Sequence, residues 1–90
     1  MIDNNKSIEV EDYMENKEDI LFDVTILKIE DIVNYFAHDN GKYFIEQGEV
    51  RNENIYNDGV EVHGVGWRQY VGKWFINKVI RNEKVIYEKQ

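Results

Sequence analysis

The spacing of apolar and polar positions changes period several times along the chain. From Ser7 onward, Val10, Tyr13, Met14, Lys17 and Leu21 recur at helical spacing. Ser7 stands where an N-cap belongs, and Glu9, Glu11 and Asp12 lie where a helix N-terminus favours negative charge. The pattern predicts a short helix over about 8–17, preceded by a mobile tip at residues 1–6. Ile20, Phe22, Val24 and Ile26 then alternate with Leu21, Asp23, Thr25 and Leu27, a two-residue period that predicts a strand over 20–28. At Ile29 the period turns helical again. Ile29, Ile32, Val33 and Phe36 make a stripe opposite Glu30, Asp31 and Asn34, and His38-Asp39-Asn40-Gly41 offers residues that can end a helix in the left-handed conformation. A helix over about 29–38 follows.

Past Gly41 the chain reads as β. A strand over 42–47 holds Tyr43, Phe44 and Ile45 and stops at Gly48. Tyr56-Asn57-Asp58-Gly59-Val60 is the strongest turn signal, with Asn and Asp suited to a type I turn and Gly59 to the left-handed residue of a G1 bulge. The runs 49–56 and 60–65 flank it as a hairpin, and Gly64 and Gly66 around Val65 predict a bulge or sharp bend. Aromatic and β-branched residues favour further strands over about 66–71, 74–80 and 84–88. A two-residue turn at Asn82-Glu83 would set Ile80 opposite Val85 and Val79 opposite Ile86. Trp67, Tyr70, Val71, Trp74, Phe75 and Val79 also fit a helix over 67–79, against which Gly72 stands mid-segment. Together these elements predict an α+β domain over 7–90. It would be an antiparallel sheet of about five or six strands with one or two helices on one face. A small curled β-barrel-like sheet, bent at Gly64, Gly66 and Gly72, is the alternative.

Composition narrows the class. Ninety residues at 42% hydrophobic and 13% aromatic make one domain able to bury a modest core. With no cysteine, a disulfide framework, a thiolate metal site and a thiol nucleophile are excluded. No window approaches the ~18 apolar residues of a membrane span, and the polar start lacks the apolar run of a signal peptide. The expectation is a soluble, cytoplasmic protein. Proline is absent and Ala37 is the single alanine, whereas Ile, Asn, Lys and Tyr occur 11, 10, 8 and 6 times. That bias follows AT-rich codons and suits a low-GC bacterium or its phages and plasmids.

Charge is distributed unevenly, at −7 over residues 1–31, −4 over 32–66 and +4 over 67–90, for a net −7. The acidic part offers a partner-binding face made of Glu9, Glu11, Asp12, Glu15, Glu18 and Asp19, continued by Glu30, Asp31, Glu46, Glu49 and Glu53. Such a surface discourages nucleic acid, can imitate its phosphates, and steers toward a basic patch on another protein. The C-terminal part interleaves Trp67, Tyr70 and Trp74 with Arg68, Lys73, Lys78 and Arg81, the mixture that single-stranded nucleic acid uses. In a chain this short most large aromatics are needed inside, and net −7 opposes direct nucleic-acid binding.

Candidate chemistry is sparse. His38, Glu61 and His63, with Asp58 nearby, are the residues a small enzyme or metal site would use. No nucleophile elbow, P-loop or dinucleotide fingerprint is present, and no metal or other cofactor is expected. The sequence therefore points to a non-enzymatic protein-binding module, an inhibitor of phage or mobile-element type comparable in action to anti-CRISPR or toxin-immunity proteins. Its partner would be a protein with a basic surface, such as a nucleic-acid-binding enzyme, with homodimerisation open and no membrane involved. Single-stranded nucleic-acid binding and a small enzyme are the competing classes.

Overall fold

Residues 22–89 are described by a computed structural model, and among them seven strands form a single antiparallel sheet. In chain order these are β1 (Ile32–Asp39), β2 (Lys42–Glu49), β3 (Ile55–Tyr56), β4 (Gly59–Gly64), β5 (Trp67–Gly72), β6 (Ile76–Arg81) and β7 (Lys84–Glu88). The helical pieces among the described residues are two 3-10 turns, Val24–Ile26 and Lys73–Phe75. The sheet runs β3-β4-β2-β1-β6-β7, and β5 pairs with β4. It curls into a half-barrel.

Tight turns set this connectivity. Asn40 and Gly41 have φ of 52° and 75°, and Asn82 and Glu83 have φ of 51° and 66°. Both pairs therefore have the positive angles of a type I′ turn, whose twist matches the strands it joins. They close the β1–β2 and β6–β7 hairpins, where Asp39 faces Lys42 and Arg81 faces Lys84. Gly66, at φ 78°, supplies the left-handed second central residue of the turn between β4 and β5.

The α+β expectation is corrected: no helix covers a face of the sheet among the described residues. The stretch read as a helix over 29–38 is largely β1. Val33, Tyr35 and Ala37 alternate inward at 0, 1 and 7% exposure, but Phe36 is also buried, at 8%. Burial on both faces fills the gaps of a two-residue pattern and imitates a helical stripe. The strand predicted over 20–28 is corrected too. The Asp23 carboxylate accepts from the Thr25 backbone N–H at 3.0 Å and from its hydroxyl at 2.5 Å, drawing 24–26 into a 3-10 turn. Phe22, Val24 and Leu27 are the buried residues there, while Ile26 faces outward. Of the run 49–56, only Glu49, in β2, and Ile55–Tyr56 are paired. Trp67–Arg81 is strand, 3-10 turn and strand, not a helix. The helix predicted over 8–17 and the tip at 1–6 lie outside the described residues.

The concave side holds one core of Phe22, Val24, Leu27, Val33, Tyr35, Ala37, Val50, Val60, Val62, Val71, Ile76 and Val79. Each fully buried valine contributes about 1.5–3 kcal/mol of transfer free energy. A polar clasp ties the entering segment to the sheet. Arg81 Nε and Nη2 donate to the two oxygens of Asp31, each at 2.8 Å, and Nη2 also donates to the Ile26 carbonyl at 3.0 Å. Burial alone would raise the Asp31 carboxyl. The bonds from Arg81 and the Lys28 backbone N–H outweigh it and hold the group below its ordinary range. The Tyr35 hydroxyl is buried and makes no hydrogen bond of good geometry. Burial, and then the Glu46 carboxylate facing it across the β1–β2 ladder, keep it protonated well beyond the usual tyrosine range.

Candidate functional site

The half-barrel leaves a groove where the end of β1, the start of β2, β5 and the second 3-10 turn converge. Its walls are Tyr35 to His38, Tyr43, Gln69 to Gly72, Trp74 and Phe75, around a volume of about 530 Å³. None of these lining residues is Asp, Glu, Lys or Arg. The β1–β2 register sets His38 opposite Tyr43, with ring centroids 4.5 Å apart. From the other wall, the Tyr70 hydroxyl donates to Asp58 at 2.5 Å, and its ring centroid lies 6.1 Å from that of Tyr56. Desolvation and this bond to Asp58 push the Tyr70 hydroxyl up to about 12. Lys73 places its ammonium 5.7 Å from the Trp74 ring centroid, at the groove's edge.

The two tryptophans part company. Trp67 is half-buried and packs on the core, its indole lying across Gly64 where a Cβ would stand. Trp74 is half-buried as a wall of the groove. Three of the four cations proposed beside them face carboxylates, and the fourth, Lys73, lies against the Trp74 ring. Arg68 Nε is 3.7 Å from Glu61, Lys78 is 4.0 Å from Glu88, and Arg81 is taken up by Asp31. These pairs reduce the free positive charge that a phosphate backbone needs.

The acidic set is scattered among the described residues. Glu30 is exposed in the turn before β1, at φ 83°. Asp31 is inside the clasp at 1% exposure. Glu46 and Glu49 stand three residues apart on one strand and so point to opposite faces, with Glu49 at 3.3 Å from Arg51. Glu53 is exposed in the 50–54 connection. Glu9, Glu11, Asp12, Glu15, Glu18 and Asp19 lie outside the described residues.

The histidines are in separate settings. His38 belongs to the groove, whereas Glu61 and His63 share the outer face of β4, with Nε2 3.4 Å from Oε1. Asn54 and Asn52 donate to Glu61 Oε1 at 2.8 and 2.9 Å, and in that order they hold its carboxyl below the ordinary range. Asn52 Nδ2 also lies 3.3 Å from His63 Nε2. This network pins the 50–54 connection against β4. Among the described residues no cluster of three or more metal-ligating side chains occurs, and there is no serine or cysteine to serve as a nucleophile. Thr25, the one aliphatic hydroxyl among the described residues, is bound to Asp23.

Compared with protein-family models, with curated proteins and with solved structures, the chain matches none.

Sequence reasoning puts Tyr70 and Trp74, with Phe75, in one aromatic set and His38 in another, and misses Tyr43 and Gln69 as their neighbours. The Asn40-Gly41 pair was the available signal. Read as a hairpin turn, it would have put His38 beside Tyr43.

Proposed function

We propose that the protein is a non-enzymatic protein-binding module that takes an extended apolar segment of a partner, flanked by basic residues, into the aromatic groove. The observation that carries this reading is the groove itself: a concavity walled by His38, Tyr43, Tyr70, Trp74 and Phe75, with no carboxylate, lysine or arginine among its lining residues. Aromatic side chains anchor protein interfaces because they bury much area for few rotatable bonds. The net charge of −7 favours a partner of opposite sign and steers its approach. We place the module among antagonists of phage or mobile-element type, acting by occupying a basic surface. Charge and codon bias support that part.

Selection from a displayed library of short random peptides tests the proposal. Enriched sequences should share an aromatic or aliphatic anchor with Lys or Arg at its flanks. Trp74→Ala should weaken their binding roughly 30-fold or more with the thermal midpoint little changed, and Tyr43→Ala serves if Trp74→Ala unfolds. In a Trp67→Phe background the remaining indole should shift its emission on binding. Peptides that bind Trp74→Ala and Tyr43→Ala as well as the parent would overturn the reading. If oligothymidylate binds instead, loses affinity steeply with salt and depends on Trp74, the nucleic-acid reading replaces it.

A further inference from the structure

His63 lies at the pair that joins β2 to β4, with Glu49 as its partner on one side and Arg68 on the other. Cross-strand partners share a face of the sheet, and Glu61, two residues back on β4, shares it too. The charged groups that face the imidazole are therefore Glu61 on its own strand, Glu49 on β2 and Arg68 on β5. Arg51, in the connection after β2, is engaged by Glu49 at 3.3 Å, and Glu53 of the same connection is exposed. The side chains of His63 and Glu61 are 18 and 16% exposed, so solvent protons reach them.

The hydrogen bonds around Asn52 decide which form of the imidazole fits. The Asn54 backbone N–H, which can only donate, bonds to Asn52 Oδ1 at 3.0 Å. That fixes the amide so that Nδ2 turns to Glu61 Oε1 at 2.9 Å and to His63 Nε2 at 3.3 Å. An amide NH2 donates two hydrogens and offers no lone pair. His63 Nε2 must then accept, which requires the neutral ring with its hydrogen on Nδ1. A proton added at Nε2 would point at the Asn52 NH2. It would also compete for Glu61 Oε1, 3.4 Å away, which already takes bonds from Asn54 and Asn52. Those two bonds hold the Glu61 carboxyl below its ordinary range, so it stays an ionised acceptor while the ring changes.

We propose that His63 is a pH-sensitive latch for the 51–53 stretch of the connection between β2 and β3. With the ring neutral, Asn52 bridges His63 and Glu61 and holds the stretch on β4. With the ring protonated, Asn52 must turn its amide over or swing away, and either movement gives up the Asn54 N–H. The piece released is short because both of its ends are tied by main chain. Val50 accepts from the Glu30 N–H and donates to the Asp31 carbonyl, and the Asn54 carbonyl accepts from the Glu61 N–H at 3.0 Å. An imidazole changes charge between about pH 5 and 8, so the stretch is fastened at the upper end of that range and released at the lower. Glu61 and Glu49 favour the protonated ring, and Arg68 opposes it. The latch does not depend on the groove reading, since none of its residues lines the groove.

The test is NMR spectroscopy of the full chain across that pH range. At its upper end the ring nitrogens of His63 should show the hydrogen on Nδ1. As pH falls, the Asn54 amide should exchange roughly 5- to 10-fold faster once corrected for its intrinsic rate. The midpoint of that change should coincide with the one at which the His63 ring itself titrates. His63→Gln keeps an acceptor but loses the titration, and should leave the Asn54 amide protected throughout. If His63→Gln fails to fold, the tautomer and the agreement of the two midpoints in the parent decide. A hydrogen on Nε2 in the neutral ring overturns the proposal. So does an Asn54 amide whose exchange ignores the His63 midpoint, or one that still responds in His63→Gln.

Discussion

Gly59 serves a neighbour and not a turn. Its φ is not in the left-handed region; instead, the Tyr70 ring lies across it, and a Cβ would also stand 2.6 Å from the Val71 carbonyl oxygen. Gly59→Ala should destabilise the fold by about 1–3 kcal/mol, as overpacking does. It should also lower the Tyr70 hydroxyl from about 12 toward the ordinary ~10 as the ring leaves Asp58, a change read by phenolate absorbance. Asp31 is the other residue with a large expected effect. Removing it leaves Arg81 without its partner, but the Arg81 side chain is 28% exposed and can reach water. Asp31→Ala should therefore cost about 2–3 kcal/mol in denaturant unfolding, below the ~3–5 of a fully buried pair. Because the folded carboxyl lies below its unfolded value, its contribution is complete above the unfolded value of ~3.9 and is lost as pH falls through the folded one. The stability gap between the parent and Asp31→Asn should close on acidification below pH ~4. A gap that is constant with pH would mean the clasp is not ionic.

β1 shows what a periodic pattern can and cannot carry. Its residues were apolar in the right places, but a strand buried on both faces has no clean alternation, so Phe36 completed a helical stripe that the fold does not use. The element that decides the matter is local. Asn40 and Gly41 take positive φ in a hairpin, the same conformational freedom that had been read as a helix stop. Where turn chemistry was taken at face value, at Asn82-Glu83, the strand limits 84–88 and the pairing of Ile80 with Val85 match the sequence reading. Val79 faces Tyr87 instead of Ile86 because a bulge adds a residue to β7, something no pattern in that run announces. The groove was less legible still, since its walls come from strands that only the sheet order brings together. The I′ turn offers a direct test. Gly41 has open space around its Cα but φ 75°, so Gly41→Val should lower the thermal midpoint by several degrees through backbone strain alone. Gly41→Asn should be nearly neutral.

At the scale of the molecule, charge and sheet order act together. If net −7 steers a basic partner, the association rate should fall steeply as salt is raised while the dissociation rate stays nearly constant, in stopped-flow mixing with the selected peptide. Equal effects on both rates would remove steering from the account. The sheet order has a mechanical consequence as well. β1, β2, β6 and β7 are joined by long ladders, as are β4 and β5, but β2 meets β4 through a single residue pair, Glu49↔His63. Among the described residues the sheet is therefore two β-ribbons over one shared core, joined by a single backbone rung. Bending at that rung changes the angle between the wall bearing His38 and Tyr43 and the wall bearing Tyr70.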